Sequence, residues 1–353
     1  MFNKLKKFAL VSVLSLMPLF AVAQEVTWQI PTSVPEGSPF YVNFLERFAD
    51  NADALTESRV KIEPFGAGVL VPALQVYDGV KDGIIQAGHS TPSYLVNQDP
   101  TNAIFAGFPG GMGPEAFITW IYEKGGKEKL AELRAKDGLK NLIVGIGSSE
   151  IMAHSNVPVT KAEDLKGLKY RTSGPWAAVM SEYFGAVPTV VPPGEIYTLL
   201  QRKGVDLIEW GPPSGNMPEG FHEAAKYIIV PGVHQPTFLW EVVMKQETWD
   251  ALPDDLKPLL EKAAELTTMQ ALIHFYGDDV VAMDTYRKGK NEIITLSPEF
   301  VKELSDAGND WISKTAEAQK AEGNETMSEI LADYQSFKSL WESESSYLIR
   351  NQK

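Results

Sequence analysis

The stretch at residues 169–210, KYRTSGPWAAVMSEYFGAVPTVVPPGEIYTLLQRKGVDLIEW, decides the fold class. Short runs that favour strands alternate in it with longer runs that have helical spacing. The predicted elements, in order, are a strand at 169–172, a helix at 175–183, a strand at 189–191, a helix at 193–202 and a strand at 205–210. Strands that alternate with helices are typical of α/β architecture.

The same alternation extends toward the N-terminus, whereas the C-terminal third is mostly helical. Upstream we expect strands at 26–30, 59–65, 84–89 and 142–146, and helices at 40–55 and 72–81. Helical patterns run almost without a break from 253 to about 287, and more helix follows from 298 onward. We find no tandem repeat and no low-complexity linker, which favours two α/β lobes that exchange strands, completed by long C-terminal helices.

The first two dozen residues have the pattern of a secretory signal peptide. Three lysines within the first seven residues precede an apolar run at 8–20, and Ala-Val-Ala at 21–23 supplies the small-residue cleavage pattern. A membrane anchor needs about 20 apolar residues, and this run is shorter. A lipid anchor would need a cysteine after the run, and the chain has none. We therefore expect a signal peptide at 1–23 and a soluble, exported product in a periplasm.

The composition excludes several classes of function. The chain has 353 residues, of which 44% are hydrophobic, and its formal net charge is −14. A surface this acidic repels polyanions, so we expect no nucleic-acid partner. The absence of cysteine excludes disulfide scaffolds, thiolate zinc sites, iron–sulfur clusters and cysteine nucleophiles.

Motifs of catalysis are missing from the sequence. We find no dinucleotide-binding or phosphate-binding glycine pattern and no GxSxG nucleophile elbow. The segment 222–226, HEAAK, begins like a zinc-protease helix but ends in lysine where the second histidine must stand. The five histidines never fall at ligand spacing, and no acid–base pair accompanies a nucleophile. We expect no enzyme.

Two places in the sequence suit recognition of an anion. Arg171 ends a predicted strand just before a helix, where its planar guanidinium can pair with a carboxylate. An ion pair on the surface is the alternative for this arginine. Glu209 and Trp210 end the next predicted strand, and strand ends of α/β sheets border ligand crevices. Trp210 could equally be core, but an unpaired buried Glu209 would be costly, and either a partner cation or Arg171 itself would resolve that cost.

Four segments in order resemble the solute receptors of tripartite ATP-independent periplasmic (TRAP) transporters. They are FGAG at 65–68, VKDG at 80–83, DLKGLKYR at 164–171 and PPGEIYTLLQRKGVD at 192–206. The resemblance runs from about residue 28 to 249. The pair Glu209-Trp210 further resembles the branch that binds 2-oxo and 2-hydroxy monocarboxylates, sometimes through a metal ion.

The resemblance implies a fold and a mechanism. The fold is that of a two-lobed periplasmic binding protein, with 24–148 plus about 237–276 in the N-terminal lobe. Residues 149–236 plus about 277–353 would form the C-terminal lobe and the terminal helices. Hinge closure would trap a small organic anion between the lobes, and the closed receptor would deliver it to membrane permease subunits.

The resemblance also implies roles for individual residues. Arg171 matches the arginine that pairs with the substrate carboxylate, and Tyr94 matches a hydroxyl donor from the N-terminal lobe. Glu209 and Trp210 match positions that hold a cation through a side chain and a backbone carbonyl. Glu241 matches a third metal-ligand position, on a crossing strand.

One departure from the branch leaves the cation open. Ser149 and Glu150 lie where the branch usually places an amide ligand, so one of them must substitute. Several carboxylates would repel one another and an anionic substrate, and a bound Ca²⁺ or Na⁺ would offset that repulsion. The alternatives are an acid that recognises an amine or hydroxyl of the substrate, or a metal-free site with Glu150 facing solvent. None of these arrangements requires a cofactor.

Several assignments have alternatives. The ligand could instead be an aromatic acid, a sulfonate or a dicarboxylate, and the chain could be a ligand sensor for a membrane kinase. The last helical stretch carries an apolar stripe that is either core or the face of a homodimer. The stripe consists of Met327, Ile330, Leu331, Tyr334, Phe337, Leu340 and Trp341.

Overall fold

The computed structural model describes residues 25–348, so the predicted signal peptide at 1–23 lies outside the described residues. The strands are β1 Val26–Pro31, β2 Val60–Phe65, β3 Ala87–Ser90, β4 Leu139–Gly147, β5 Ala153–Ser155, β6 Lys169–Arg171, β7 Val187–Thr189, β8 Leu207–Ile208, β9 Tyr227–Val230, β10 Phe238–Lys245 and β11 Glu292–Thr295. The helices are α1 Arg47–Leu55, α2 Val76–Lys81, α3 Ala103–Ala106, α4 Pro114–Glu123, α5 Gly126–Ala135, α6 Gly174–Phe184, α7 Ile196–Gln201, α8 Pro213–Asn216, α9 Phe221–Ala224, α10 Gln246–Asp250, α11 Leu256–Lys288, α12 Pro298–Ala321 and α13 Thr326–Glu344.

The strands divide between two lobes, as the sequence predicts. In the first lobe β1 pairs in parallel with β2, and β10 lies antiparallel between β3 and β4. A bridge between Thr32 and His89 connects these two groups. The second lobe contains a six-stranded sheet in the order β11-β9-β5-β8-β6-β7. Because β10 follows β9 in the chain but joins the first sheet, the chain returns between the lobes, which gives the predicted two-lobed α/β fold with strand crossovers. The residue bounds predicted for the lobes stay a prediction.

The stretch at 169–210 folds as β6-α6-β7-α7-β8, in the predicted order. The strand β8 is shorter than predicted, with two residues in place of 205–210. After Ile208 the Glu209 amide still donates to the Arg171 carbonyl oxygen at 3.1 Å, and the chain then leaves the sheet. That departure turns Glu209 and Trp210 away from the strand ladder and toward the space between the lobes.

Long helices complete the fold. The helix α11 has 33 residues and packs against both β4 of the first lobe and α8 beside the second. In α13 the side chains of Met327, Ile330, Leu331 and Tyr334 are buried in the chain's own core. The apolar stripe is therefore core along these positions, and a homodimer through this helix stays a prediction. Among residues 25–348, no helix combines the length and apolar character that crossing a bilayer requires.

Candidate functional site

A small cavity lies between the lobes, where several strands end. Its polar wall residues follow β3, β4, β6 and β8 or precede β10, and its free volume is about 20 Å³, little more than one water molecule needs. The wall consists of Phe40, Thr91, Ser93, Tyr94, Glu150, Ser173, Glu209, Trp210, Gln235, Phe238 and Trp240. The crevice beyond the ends of α/β strands is the usual ligand site in such folds.

Three titratable side chains meet at this cavity. One oxygen each of Glu150 and Glu209 and a ring nitrogen of His234 all lie within 4.8 Å of one another. The Nε2 atom of His234 is 3.0 Å from Glu150 Oε2, while its Nδ1 is buried and has no partner among the described residues. Glu209 Oε1 accepts a hydrogen bond of 2.9 Å from the Ser173 backbone amide. The three come from the connections after β4, β8 and β9: Glu209 follows a strand of the second lobe, whereas Glu150 and His234 lie on the two connections that cross between the lobes.

The electrostatics of this group disfavour two charged carboxylates without a cation. Burial, followed by repulsion from Glu209, raises the pKa of Glu150 well above its ordinary value. Burial also raises the pKa of Glu209, although Arg171 partly offsets the effect. Burial lowers the pKa of His234 to about 3, so its ring is neutral and can donate one proton to Glu150. A bound cation would relieve the repulsion between the carboxylates.

Arg171 adjoins the cavity and is fully buried. Its Nη1 donates to the Glu209 carbonyl oxygen at 2.7 Å and to Glu209 Oε1 at 3.3 Å. Its Nη2 donates to the Val191 carbonyl oxygen at 3.3 Å, and its Nε has no partner among the described residues. The guanidinium also lies 5.6 Å from the ring centroid of Trp210. Arg171 thus contacts two wall residues, Glu209 and Trp210, and keeps a free donor.

Tyr94 and Trp210 are wall residues that come from different lobes. Tyr94 comes from the short 3₁₀ turn after β3, in the first lobe, and burial raises its pKa to about 12 despite the nearby Arg171. It therefore keeps its hydroxyl proton for donation. Trp210 comes from the second lobe and packs its ring 5.2 Å from that of Phe40. The two lobes both contribute to the cavity.

Backbone contacts fix the position of Glu150. Its amide donates to the Gln235 carbonyl oxygen at 3.3 Å, and the next amide, that of Ile151, donates to Gly211 at 3.0 Å. A Cβ atom at Gly232 would overlap the Glu150 carbonyl oxygen, so this approach requires glycine. The segment between β9 and β10 therefore holds Glu150 in place against the site.

The structure does not bring Glu241 to this group. Glu241 is fully buried in the first lobe, where its Oε1 accepts from Arg134 Nη2 at 2.6 Å, Arg134 Nε at 2.8 Å and the Tyr77 hydroxyl at 2.7 Å. Its Oε2 accepts from Asn141 Nδ2 at 2.9 Å. Both oxygens are used by neighbours within that lobe. This corrects the expectation that Glu241 is a metal ligand.

Of the pair Ser149 and Glu150, only Glu150 is a wall residue; Ser149 is half-buried beside it. His234 and Gln235 were not among the site residues predicted from the sequence. Gln235 lies on the wall and donates its amide group to the Ala106 carbonyl oxygen at 2.8 Å. No linear spacing could reveal them, because the group is assembled from three connections far apart in the chain. Their place directly before the crossing strand β10 was the one available signal.

The family model for bacterial extracellular solute-binding proteins, family 7, matches residues 30–319. The monocarboxylate 2-oxoacid-binding periplasmic protein of Nostoc is 27% identical over 296 residues, covering 84% of this chain and 81% of the relative. The C4-dicarboxylate-binding periplasmic protein of Rhodobacter capsulatus is 34% identical over 145 residues, 40% of this chain and 42% of the relative.

Solved structures of TRAP solute-binding proteins share the fold. The protein from Pseudoalteromonas atlantica, with bound sodium and pyruvate, superposes with a TM-score of 0.85 at 24% identity, covering 92% of this chain and 97% of that one. The protein from Bordetella bronchiseptica, with calcium and picolinate, has a TM-score of 0.84 at 22% identity and covers 92% and 96%. The matched family consists of solute-binding proteins, in agreement with the expectation that this chain is no enzyme. The family match spans most of the chain, and the protein therefore belongs to the bacterial extracellular solute-binding proteins of family 7.

Proposed function

We propose that the protein is a periplasmic receptor of a TRAP transporter that binds a small 2-oxo or 2-hydroxy monocarboxylate together with a cation. The observation that carries the proposal is the buried pair of carboxylates, Glu150 and Glu209, directly beside Arg171 in a cavity between two lobes. Acidic groups alone would repel an organic acid. A cation between them, with an arginine next to it, turns the same cavity into a site for one.

The balance of charge favours Ca²⁺ over Na⁺. Glu150, Glu209 and a substrate carboxylate together bring three negative charges, against one positive charge on Arg171. A divalent cation brings the sum to zero, whereas a monovalent cation leaves one negative charge buried, which is costly. Hard cations prefer oxygen ligands, so the two glutamates would bind the ion directly. His234, which already contacts Glu150, would then orient that carboxylate.

Arg171 and Tyr94 suit the organic part of the ligand. The Nε of Arg171 retains a donor for a carboxylate, and Tyr94 offers its hydroxyl from the opposite lobe. An oxo or hydroxy oxygen beside the carboxylate would complete a chelate with the cation. No wall residue is a lysine or arginine in the part of the chain described, so a second carboxylate of a dicarboxylate would find no cationic partner on the wall.

Closure of the lobes is the step that the ligand would control. The first lobe supplies Tyr94 and its neighbours, the second lobe supplies Glu209 and Trp210, and Glu150 comes from a connection between the lobes. A ligand touches both sets only in the closed form, so binding shifts the population to that form. The closed receptor would then be recognised by a membrane permease. The names of the Nostoc relative and of the pyruvate-bound structure support this substrate class.

Calorimetric titration of the purified protein tests the proposal. We expect pyruvate or lactate to bind in Ca²⁺ and to bind far more weakly in EDTA with sodium-free buffer. Charge-assisted hydrogen bonds contribute about 1.5–3 kcal/mol each, so Arg171→Ala should weaken binding by about 100-fold or more. Arg202→Ala, at an exposed arginine just after α7, is the matched control and should bind like wild type.

Other outcomes would redirect the proposal. Equal binding in EDTA would remove the cation from it. Tight binding by Arg171→Ala would remove the carboxylate pairing. A heat of binding only with succinate, a sulfonate or an aromatic acid would still indicate a solute receptor. It would overturn the assignment of the substrate to the monocarboxylates. A protein that binds but has no permease genes near its own, only those of a membrane kinase, would point to a sensor.

A further inference from the structure

A second cavity adjoins the first and is about nine times larger, with a volume of about 190 Å³ against about 20 Å³. Ser93, Tyr94 and Ser173 line both cavities. The two cavities are therefore neighbours, separated by these three residues. A group attached to a ligand in the first cavity would have to pass them to reach the second.

The chemistry of the two cavities differs. The first carries two carboxylates, whereas the second has no carboxylate and no cationic side chain in its lining. Its apolar walls come from both lobes: Leu74 and Val96 from the first, Ala177 of α6 and Val190 after β7 from the second. Apolar walls of this kind gain free energy by removing hydrocarbon from water.

We propose that the second cavity receives the side chain of the bound acid, so that the substrates are 2-oxo or 2-hydroxy acids with a hydrocarbon chain longer than a methyl group. The carboxylate and its neighbouring oxygen stay with the cation and Arg171, and the carbon chain extends past Tyr94 between Val96 and Ala177. This assignment rests on the proposed function and adds the substrate's size to it.

The second cavity is partly open to solvent, and this limits the gain in affinity that a longer carbon chain can give. Val190 at its rim is 45% exposed, so part of a long chain would still touch water. Full burial of a methylene group is worth about fourfold in affinity. We therefore expect each added methylene to tighten binding by about two- to fourfold until the chain reaches the rim, after which the gain stops.

Calorimetric titration of the wild-type protein in Ca²⁺ with pyruvate, 2-oxobutyrate, 2-oxovalerate and 2-oxohexanoate measures that gain. The blocking variant is Ala177→Phe, which adds a ring at a helix position that lines only the second cavity. It should remove the preference for the longer acids and leave the affinity for pyruvate within about twofold. Val190→Phe is a second blocking variant at the rim, for use where Ala177→Phe does not fold. Val187→Phe, at an equally exposed valine outside the cavity, is the control and should keep the preference.

Each result has one meaning. A preference that rises with chain length and disappears in the blocking variants supports the proposal. Equal affinity for all four acids, or tighter binding of pyruvate, overturns the proposal but leaves the receptor function intact. The second cavity would then be only an entrance for ligand to the first cavity. Equal weakening of all four acids by the blocking variants also overturns it. Binding of none of the four would overturn the proposed function itself.

Discussion

Two buried clusters in this protein each combine glutamate with arginine and differ in how completely their polar groups are paired. In the first lobe, Glu241 has hydrogen bonds from Arg134, Tyr77 and Asn141, so both of its oxygens have partners. At the cavity, Glu150 and Glu209 both lie close to a single arginine, Arg171. Nε of Arg171 and Nδ1 of His234 have no partners among residues 25–348.

The difference shows which cluster has capacity left for a ligand. Buried polar groups in native proteins nearly always have hydrogen-bond partners, so unpaired ones indicate a position where a ligand, ion or water can bind. A paired cluster such as Arg134–Glu241 contributes to one lobe's structure. A cluster with surplus negative charge and free donors is costly by itself and becomes favourable when a cation and an anion complete it. The same substitution, glutamate to glutamine, should therefore have different effects in the two places.

The largest effect is expected in the paired cluster. Glu241→Gln leaves Arg134 charged and buried without its counter-ion, and breaking such a pair costs about 3–5 kcal/mol. Urea denaturation in EDTA should show this loss in the free energy of unfolding. Glu265→Gln, which breaks a surface pair with Lys262, is the control and should unfold like wild type. A Glu241→Gln protein of wild-type stability would mean that the first-lobe cluster is not structural.

The next effect separates the clusters by their response to a cation. An ion that binds only the folded state stabilises it by about 2.7 kcal/mol at 100 times its dissociation constant. Ca²⁺ should therefore raise the melting temperature of wild type and also of Glu241→Gln, but not that of Glu150→Gln. Thermal denaturation in EDTA and in Ca²⁺ measures both shifts. A normal shift in Glu150→Gln, or its loss in Glu241→Gln, would reverse the roles assigned to the two glutamates.

The two clusters also mark how far the sequence alone could go. The alternation at 169–210 predicts the second lobe, and Arg171 and Glu209 were singled out because each ends a predicted strand or lies next to the end of one in that stretch. Glu241 also lies on a strand. The expectation for it was wrong because its partner Arg134 is over 100 residues away in the chain, so the local sequence pattern does not reveal the pair. His234 was missed for the same reason, since its meaning depends on distance to Glu150 in space.

The third effect, the smallest when taken per pH unit, is a dependence on pH that only the cavity cluster should show. In the cation-free folded protein, burial and Glu209 raise the pKa of Glu150, while the unfolded chain keeps a value of about 4.3. Above that pH the unfolded chain loses a proton that the folded protein retains, so wild type loses stability as pH rises. Glu150→Gln has no such proton to lose. As the pH rises, the free energy of unfolding of Glu150→Gln should therefore increase relative to that of wild type, by up to about 1.4 kcal/mol per pH unit. The increase ends when the pH reaches the pKa of Glu150 in the folded protein.

Urea denaturation of both proteins in EDTA between pH 5 and 8 measures this difference. Glu209, Arg171 and the neutral ring of His234 remain in both proteins. Because Glu150 and Glu209 titrate as a pair, the difference reports the proton that the pair retains in the folded protein. Saturating Ca²⁺ should abolish the trend in wild type, because the ion binds the ionised pair and the folded and unfolded states then hold equal numbers of protons above about pH 5. A difference that does not vary with pH in EDTA would mean that Glu150 is ionised without a cation. Its charge would then have to be balanced within the cavity by Arg171, which would make this cluster a paired one like that of Glu241.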